Sequence, residues 1–308
     1  MPELPEVEVV RAGLAPALVG ARIEAVTVLD PRALTRHAGD AASFERALNG
    51  RTLSAAARRG KFLWLPLEPA AGAVGESSEA IVGHLGMSGQ MLLRPSGAEP
   101  ERHERIRLDI VHPAHGDLAV VFSDQRTFGS LAVDQLVPTA DGAAGGWGTD
   151  APQVPSQVAH IARDPLDPAF SDGRFAASVR AKRSAVKRIL LDQTVVSGVG
   201  NIYADESLWA ARIHPETPGS SLSARAVNRL LVETRAVMER ALAEGGTSFD
   251  SQYVNVNGQA GYFAHSLNAY GRDGESCPRC GTNLVRESFM NRGSHYCPKC
   301  QRKCQRMR

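Results

Sequence analysis

The residues best suited to covalent chemistry lie in the first six positions of the chain, MPELPE. Removal of Met1 is expected to leave Pro2 with a secondary amine whose pKa of about 8 keeps part of it neutral and nucleophilic at physiological pH. Attack of that amine on a sugar carbon gives an iminium ion, as a lysine Schiff base does. Glu3 and Glu6 follow within one turn of a predicted helix, where carboxylates are favoured and can transfer protons. On composition alone, an ordinary capped helix start would be the preferred interpretation.

The cysteines form the strongest isolated motif. All five lie between Cys277 and Cys304, and four of them follow a C-x2-C-x16-C-x2-C pattern: Cys277, Cys280, Cys297 and Cys300. Each C-x2-C pair brings two thiolates into a tight turn, and the spacer fits a β-hairpin, so the pattern predicts one structural Zn²⁺. Four thiolates leave no position open for catalysis. A redox pair is the alternative, which two such pairs at this spacing disfavour; Cys304 is expected to be a spare thiol.

Basic residues are concentrated in two regions. Between residues 271 and 308 there are nine Lys/Arg and three Asp/Glu, whereas the whole chain carries a net charge of only +2. The second region, residues 174–191, contains no acidic residue and includes Arg174, Arg180, Lys182, Arg183, Lys187 and Arg188. A solvated basic face is the common explanation for one such cluster, but two in one chain favour a nucleic-acid partner.

Periodicity changes along the chain from strand-like to helical. A leading helix is followed by alternating or apolar segments at 22–29, 53–67, 80–84, 89–94, 106–111 and 118–123, which predict an antiparallel β-sandwich or barrel. Residues 139–168 are rich in Ala, Gly, Pro and Asp and are predicted to be a linker. Helical spacing then appears at 175–190, 202–211 and 223–243, and the polar segment 247–264 is predicted to be a loop.

A glycine-rich turn at 195–201 precedes the second of these helices, and Asn201 is expected to cap it. Backbone amides at such a helix start can bind phosphate. At 308 residues the chain is long enough for two domains. It has no apolar run of about 20 residues and no signal-peptide pattern, so we expect no membrane association and a cytoplasmic location.

Five blocks occur in order along the chain: MPELPE at 1–6, Gly60-Lys61, HLGMSG at 84–89, GVGNIY at 198–203, and the four-cysteine finger. Each block is weak evidence alone, but the ordered set is specific. Over essentially its whole length the chain resembles bacterial formamidopyrimidine-DNA glycosylases. The resemblance implies an α+β multidomain fold, with a β-sandwich catalytic domain at 1–138, the linker at 139–168, a helix-two-turns-helix DNA-binding domain at 169–264 and the four-cysteine zinc finger, a β-hairpin, at 265–308.

The same resemblance implies a bifunctional DNA glycosylase and AP lyase of base excision repair. Such an enzyme excises oxidised purines, among them 8-oxoguanine and formamidopyrimidines, and then cuts the strand by β,δ-elimination. Its partner is double-stranded DNA containing oxidised bases or abasic sites. We expect the chain to act as a monomer in the bacterial cytoplasm, associated with the nucleoid.

Functional residues of the family can be carried over where the motifs match. The catalytic set is Pro2 as nucleophile, Glu3 as proton donor, Glu6 as supporting carboxylate, Lys61 for β-elimination and Arg292 for phosphate gripping and δ-elimination. The residues that match the wedge filling the space of a flipped base are Met87, Arg126 and Phe128; those that match contacts to the DNA backbone are His103, Lys182, Lys187 and Asn201. Without the resemblance, core packing would be an equally good interpretation of Met87 and Phe128.

Three other interpretations make different demands on the sequence. Endonuclease VIII-like enzymes of the same superfamily prefer oxidised pyrimidines and tend to carry glycine where this chain has Leu4. A non-catalytic lesion-binding zinc protein would be expected to lack Pro2, Glu3 or Lys61, and all three are present. A topoisomerase-type zinc ribbon would explain the finger but not the amino terminus.

Overall fold

The computed structural model describes residues 2–69, 78–247 and 263–303. These residues form two compact units, the first from the described residues up to His160 and the second from those starting at Ile161. Within the described part of the chain no helix is long and apolar enough to cross a membrane. Most of the loop predicted at 247–264 lies outside the described residues, as does Cys304.

The first unit opens with helix α1, Leu4–Leu18, whose start depends on the two early carboxylates. Glu3 occupies the N-cap in an extended conformation, and its backbone N–H donates to Oε2 of Glu6 at 2.8 Å. This bond satisfies one of the amides that a helix start leaves without an intrahelical partner. The predicted leading helix is confirmed, and its apolar residues Val7, Val10 and Leu14 are all buried.

The other α-helix and the strands of the first unit are β1 (Arg22–Val28), α2 (Ala41–Leu48), β2 (Ala57–Arg59), β3 (Phe62–Pro66), β4 (Glu79–His84), β5 (Gly89–Pro95), β6 (Glu104–His112), β7 (Gly116–Asp124), β8 (Ser130–Pro138) and β9 (Gln153–Pro155). One sheet has the order β1-β6-β7-β5 and the other β2-β3-β4-β8-β9, with antiparallel neighbours throughout. Apolar side chains of both sheets and of α1 share one core. The predicted antiparallel sandwich with a leading helix is confirmed.

Two segments of the first unit differ from the predicted pattern. The strand expected over 53–67 is divided by a tight turn at Gly60, which adopts φ +57°, into the β2–β3 hairpin. The segment expected as a linker, 139–168, contains β9, which pairs with β8 through Leu136, Val137 and Pro138. Its glycines allow close packing rather than flexibility, because a Cβ at Gly145 would meet the Gln153 carbonyl oxygen at 1.9 Å. The complete set of predicted domain limits, 1–138, 139–168, 169–264 and 265–308, stays a prediction.

The second unit contains α3 (Asp172–Ala181), α4 (Val186–Leu191), α5 (Asn201–Ala210), α6 (Ala224–Ala243) and the hairpin β10 (Val285–Phe289) with β11 (Arg292–Tyr296). The single helix expected over 175–190 is interrupted after Ala181. The carbonyl of Lys182 accepts from Ser220 N at 2.8 Å and that of Ser184 from Gly219 N at 3.0 Å, so both are diverted from helical bonding.

A buried ion pair ties α1 to the β2–β3 hairpin. Arg58 on β2 is 1% exposed, and its Nε donates to Oε2 of Glu8 at 2.8 Å while its Nη1 donates to the Gly60 carbonyl at 3.2 Å. Arg11 also binds Glu8, at 2.7 Å. Burial alone would raise the pKa of Glu8, but the hydrogen bond from Arg11 and the charge of Arg58 outweigh it and hold that pKa below its ordinary value of 4.5.

The Glu8 substitution tests the importance of this ion pair. Glu8→Gln replaces the charged partner that Arg58 has on α1 with a neutral amide while the guanidinium stays buried, so we expect a loss of about 3 kcal/mol in the free energy of unfolding. Because folding lowers the pKa of Glu8, its contribution is present above pH 4.5 and disappears as the pH falls through the folded-state pKa. The variant should therefore lose less stability than the parent on acidification below pH 4.5, as measured by denaturant unfolding.

Glu24→Gln provides a matched control, because Glu24 pairs with Arg22 at an exposed site. There we expect a change of no more than about 1 kcal/mol. Equal effects of the two substitutions would show that burial of the Glu8–Arg58 pair is not what stabilises the unit.

Candidate active site and nucleic-acid interface

The residues proposed for chemistry at the amino terminus lie in a part of the first unit that is almost inaccessible to solvent. Pro2 is buried, and Glu3 and Glu6 are each 1% exposed. The hydrogen bond from the Glu3 amide to the Glu6 carboxylate fixes the backbone that carries Pro2 and the Glu3 side chain. The proposed nucleophile and proton donor, on adjacent residues, can thus be held in place by the second carboxylate, in the supporting role expected of Glu6.

Lys61 lies in the turn between β2 and β3, where it is half-buried. The preceding Gly60 supplies the positive φ that the turn requires, and Arg58 holds the Gly60 carbonyl. Because the same guanidinium binds Glu8 of α1, the turn with Lys61 and the helix that begins beside Pro2 share one internal anchor. Both are elements of the first unit.

His84, at the end of β4, is uncharged at neutral pH. Burial, together with the charges of Arg36 and Lys61, lowers the pKa of His84 to about 4. Its ring contacts Phe62 at 4.8 Å between centroids, and its Nδ1 accepts from the backbone N–H of Gly86 at 3.1 Å. These contacts give His84 a structural position, in which it shapes the turn before Met87.

The three residues matched to the wedge are exposed on the first unit. Met87 is 42% and Phe128 59% exposed, so the core-packing interpretation of both is wrong. Arg126 is exposed as well, and its guanidinium carbon lies 5.0 Å from the centre of the Phe128 ring, a cation–π distance. His103 is half-buried at the start of β6 and binds Asp124 N through its carbonyl at 2.9 Å.

A basic cavity of about 850 Å³ lies in the second unit. Its cationic lining comes from the α3–α4 segment and from the tip of the β10–β11 hairpin: Lys182, Arg183, Arg188 and Arg292. Arg183, Arg188 and Arg292 are exposed, whereas Lys182 is half-buried and lies 3.5 Å from Asp192. Arg183 and Arg188 belong to the basic region noted in the sequence but were not singled out as site residues. Four cations around one opening are suited to binding phosphate groups.

The predicted direct contact between Lys187 and DNA is not supported by its position. Lys187 is 0% exposed, and its Nζ lies 2.6 Å from Oδ1 of Asp205 and 2.9 Å from the carbonyl of Gly293. Asp205, also 0% exposed, accepts from His295 N at 2.8 Å. The ammonium group therefore joins α4, α5 and β11 and positions the residue next to Arg292.

Asn201 also differs from expectation. The N-cap of α5 is Gly200, and Asn201 is the first residue of the helix, with no side-chain cap bond at this end. Its Nδ2 instead donates to the Gly293 carbonyl at 3.1 Å, the same oxygen that Lys187 binds. Two donors on one carbonyl fix the start of β11, at which the exposed Arg292 lies.

The four cysteines of the finger converge as their spacing predicts. Their Sγ atoms lie within 4.8 Å of one another, and those of Cys280 and Cys297 are 3.5 Å apart. Tetrahedral zinc with Zn–S bonds of about 2.3 Å requires sulfur–sulfur separations of about 3.8 Å, which this cluster fits. Hydrogen bonds from the backbone and side chain of Thr282 lower the pKa of Cys280 to about 6, which favours the thiolate that zinc binds.

The finger is anchored to α5 by specific contacts. Arg279 places its guanidinium 4.0 Å from the Trp209 ring centre and donates to the Trp209 carbonyl at 3.0 Å. Gln301 is 0% exposed, accepts from Cys297 N at 2.8 Å and donates to the Ile213 carbonyl at 2.9 Å. A structural Zn²⁺ thereby supports the hairpin that carries Arg292.

Family models match three parts of the chain in order. Residues 1–131 match the formamidopyrimidine-DNA glycosylase N-terminal domain, residues 161–252 its H2TH domain, and residues 274–302 the zinc finger found in FPG and IleRS. The formamidopyrimidine-DNA glycosylase of Leifsonia xyli is 63% identical over 98% of this chain and 100% of its own length. That of Thermobifida fusca is 52% identical over 98% of this chain and 97% of its own length.

Solved structures with similar folds include Lactococcus lactis Fpg in complex with DNA that contains an abasic site. That structure has a TM-score of 0.78, is 28% identical, and the match covers 98% of this chain and 100% of that one. A variant of the same Lactococcus lactis enzyme, in complex with DNA containing Fapy-dG, has a TM-score of 0.79 at the same identity and coverage.

The chain has a β-sandwich that begins with a buried proline and glutamate, and a helical unit with a four-thiolate finger. Together these features define the class of zinc-finger DNA glycosylases. Full-length identity above 50% to several members narrows the class to one family. The chain belongs to the formamidopyrimidine-DNA glycosylase family.

Substitution of Lys187 tests its internal role. Lys187→Met leaves Asp205 buried without its counter-charge, so we expect a loss of about 3–5 kcal/mol in the free energy of unfolding. Lys182→Met is the matched control, since the Lys182 side chain is 42% exposed and its ion pair is solvated; there we expect a loss of no more than about 1 kcal/mol. Denaturant unfolding measures both. Wild-type stability of Lys187→Met would restore the direct-contact interpretation.

Zinc removal should affect the second unit selectively. In Cys297→Ser, we expect zinc content to fall from one ion per chain and DNA binding to weaken on every sequence, because Arg292 loses its supporting hairpin. The first unit should stay folded, since the finger belongs to the second. Metal analysis, DNA titration and circular dichroism measure these effects. Cys304→Ser is the control outside the four-thiolate pattern, and unchanged DNA affinity in Cys297→Ser would contradict the finger's proposed role.

Proposed function

We propose that this chain excises oxidised purines from duplex DNA with Pro2 as the nucleophile and then cleaves the strand at the resulting abasic site. As a member of its family the chain is a DNA glycosylase of base excision repair, and AP lyase activity is a property of that family. The observation that carries the residue assignment is the burial of Pro2 and Glu3 at a helix start held by Glu6.

The first chemical step is displacement of the damaged base. The Pro2 nitrogen forms a bond to the deoxyribose C1′ as the bond from C1′ to the base breaks, and the electrons of that bond leave with the base. Glu3 supplies a proton to the departing base or to the opening ring oxygen. The Pro2 nitrogen gives up its proton to whichever of the base and the ring oxygen Glu3 has not protonated, and ring opening then leaves an iminium ion between Pro2 and C1′. The low exposure of Glu3 supports this role, because a carboxyl group in a dry site is the kind that serves as an acid.

Strand cleavage follows from the iminium ion. Loss of a proton from C2′ and departure of the 3′ phosphate complete β-elimination. Loss of a proton from C4′ and departure of the 5′ phosphate then complete δ-elimination. Lys61, half-buried in the β2–β3 turn, is the group proposed to assist proton transfer at this stage. Arg292, with the other cations of the basic cavity, is the group proposed to hold a departing phosphate.

Opening of the duplex is the role we propose for Met87, Arg126 and Phe128. A base inside a duplex cannot be reached by a nucleophile and must first be flipped out. Two exposed apolar side chains and a cation suit insertion into the vacated space. His103, Lys182 and Asn201 remain candidates for contacts to the DNA backbone, Asn201 through its position beside the basic hairpin. Because the proposed substrate is duplex DNA, we propose that the protein lies in the cytoplasm in association with the nucleoid.

Preference for oxidised purines rests on family membership and on the presence of Leu4. A second candidate specificity is nevertheless worth testing, because one solved structure of Lactococcus lactis Fpg contains DNA with an oxidised pyrimidine. The two substrate classes share the same nucleophile and differ only in the base that leaves.

Borohydride trapping tests the nucleophile and the substrate together. We expect reduction of a mixture of the protein with a duplex containing 8-oxoguanine opposite cytosine to give a covalent adduct, because borohydride reduces the iminium ion to a stable amine. Peptide mass spectrometry should locate the adduct at Pro2, with Met1 removed. An adduct at any other residue would contradict the assignment of Pro2.

Glu3→Gln serves as the matched control. It keeps the amine, so we expect an adduct with DNA that already contains an abasic site, where no base has to leave. With the 8-oxoguanine duplex we expect trapping to slow by about 100-fold or more, since the proton donor is missing. An adduct of the parent with an oxidised-pyrimidine duplex alone would shift the substrate class, and tight binding without any adduct would favour a non-catalytic lesion-binding protein.

A further inference from the structure

Asp124 is a buried carboxylate that the catalytic scheme does not use. It lies at the last position of β7, pairs across the sheet with Gly89 at the start of β5, and is 0% exposed. A carboxylate removed from water requires several hydrogen-bond donors. Asp124 obtains them from the two turns that carry the wedge residues.

Four donors converge on the Asp124 side chain. Ser88, next to Met87, donates from its Oγ to Oδ1 at 2.6 Å. The backbone N–H of Arg126 also donates to Oδ1, at 3.0 Å. The N–H groups of Phe128 and Gly129 donate to Oδ2 at 2.9 and 2.7 Å. One carboxylate therefore binds both the turn that presents Met87 and the turn that presents Arg126 and Phe128.

The main chain of Asp124 extends the same connection to β6. Its N–H donates to the carbonyl of His103 at 2.9 Å, and its carbonyl accepts from Nε of Arg105 at 2.8 Å. Arg105 lies 3.3 Å from the carboxylate of Asp30. Of the four residues of the first unit matched to DNA contacts outside the catalytic set, three bind Asp124 directly through their backbone, and Met87 is the chain neighbour of Ser88, which also binds it.

The turn that presents Met87 and the turn that presents Arg126 and Phe128 are also in close backbone contact. Their relative placement is therefore sensitive to the hydrogen bonds of Asp124. Gly86 adopts φ +62°, and a Cβ there would meet Gly129 N and the Phe128 carbonyl carbon at 2.5 Å each. Thr127 has φ +54°, a left-handed conformation that a β-branched residue adopts only when its surroundings impose it. The flanking bonds from Asp124 to residues 126, 128 and 129 are contacts that can impose it.

We propose that Asp124 is the positioning residue of the wedge, which holds Met87, Arg126 and Phe128 in the arrangement that opens the duplex around a damaged base. It touches neither the substrate nor the reacting atoms. The inference rests on the proposed function, because it assigns to Asp124 control of a step that only a base-flipping enzyme has. An acceptor-only group suits this role, since every partner around it is a donor.

Asp124→Asn tests the proposal with almost no change of shape. An amide presents one acceptor oxygen and an NH2 group, so one side of the site loses its acceptor. Either the Phe128 and Gly129 N–H groups lose it, or Ser88 Oγ loses it and Arg126 N–H keeps only Ser88 Oγ, at 3.2 Å. Loss of a negative charge at a DNA-binding surface would by itself strengthen DNA association. A decrease in activity therefore cannot be attributed to charge repulsion.

Two substrates separate wedge action from Pro2 chemistry. On a duplex with 8-oxoguanine opposite cytosine, we expect single-turnover excision by Asp124→Asn to fall by about 10- to 100-fold, the effect of leaving buried donors unpaired. On a single-stranded oligonucleotide with an abasic site, where no base has to be flipped, cleavage should stay within about threefold of the parent. A 2-aminopurine beside the lesion should show slower or smaller unstacking in the variant.

A double-mutant cycle shows whether Asp124 acts through the wedge. In a Met87→Ala/Phe128→Ala background, Asp124→Asn should lower duplex excision by no more than about threefold, because the side chains that it positions are already absent. Ser88→Ala, which removes one of the four donors and keeps the carboxylate, should have an intermediate effect in the parent background.

The outcomes distinguish the inference from the proposed function. Equal loss on both substrates, or a full loss in the wedge-deficient background, would show a merely structural role for Asp124 and overturn the inference while the proposed function stands. Unchanged duplex excision would overturn it as well. Failure of the parent protein to process either substrate would overturn the proposed function itself, and the inference with it.

Discussion

The first unit depends on the contact between the Glu8 carboxylate and the buried guanidinium of Arg58. Arg58 is held under the β2–β3 turn, where it binds the Gly60 carbonyl, and Glu8 lies in the second turn of α1. A charge removed from water must be paired, so this pair has few alternative arrangements. The start of α1 with Pro2 and Glu3, and the turn with Lys61, consequently cannot shift independently within the unit.

Buried charged side chains also fix backbone groups at two other places in the described part of the chain. In the first unit Asp124 accepts hydrogen bonds from two turns, and in the second Lys187 and Asp205 bind the Gly293 carbonyl and the His295 N–H of β11. At both of these places the buried charge binds backbone groups beside an exposed side chain and does not bind the exposed side chain itself. Phe128 and Arg292 therefore keep their own atoms available to a ligand while their positions are fixed from below.

The spacing of residues in the sequence was sufficient to predict the structural features that depend on a local pattern. The four cysteines, the alternation in β5, β6 and β7 and the apolar face of α1 have periodicities that only a few structures satisfy. The proposed wedge and the proposed catalytic residues at the amino terminus came from motif resemblance, since Met87 and Phe128 taken alone were equally compatible with the core. Short elements such as α2 and β9 carried too few residues for a period to be recognised.

Partners of buried charges could not be predicted, because a charged residue has the same letter whether it is solvated or paired in the interior. Lys187 stands in a basic cluster and so suggested phosphate, although its neighbours Val186, Ile189 and Leu190 are all buried and hinted at an internal position. Asp124 offered a comparable hint, since an aspartate before a turn often accepts from amides two residues on. In this chain the amides lie two, four and five residues on, and the turn that they define carries two exposed side chains of the wedge. The placement of these exposed side chains thus depends on buried charged residues whose partners the sequence pattern does not reveal.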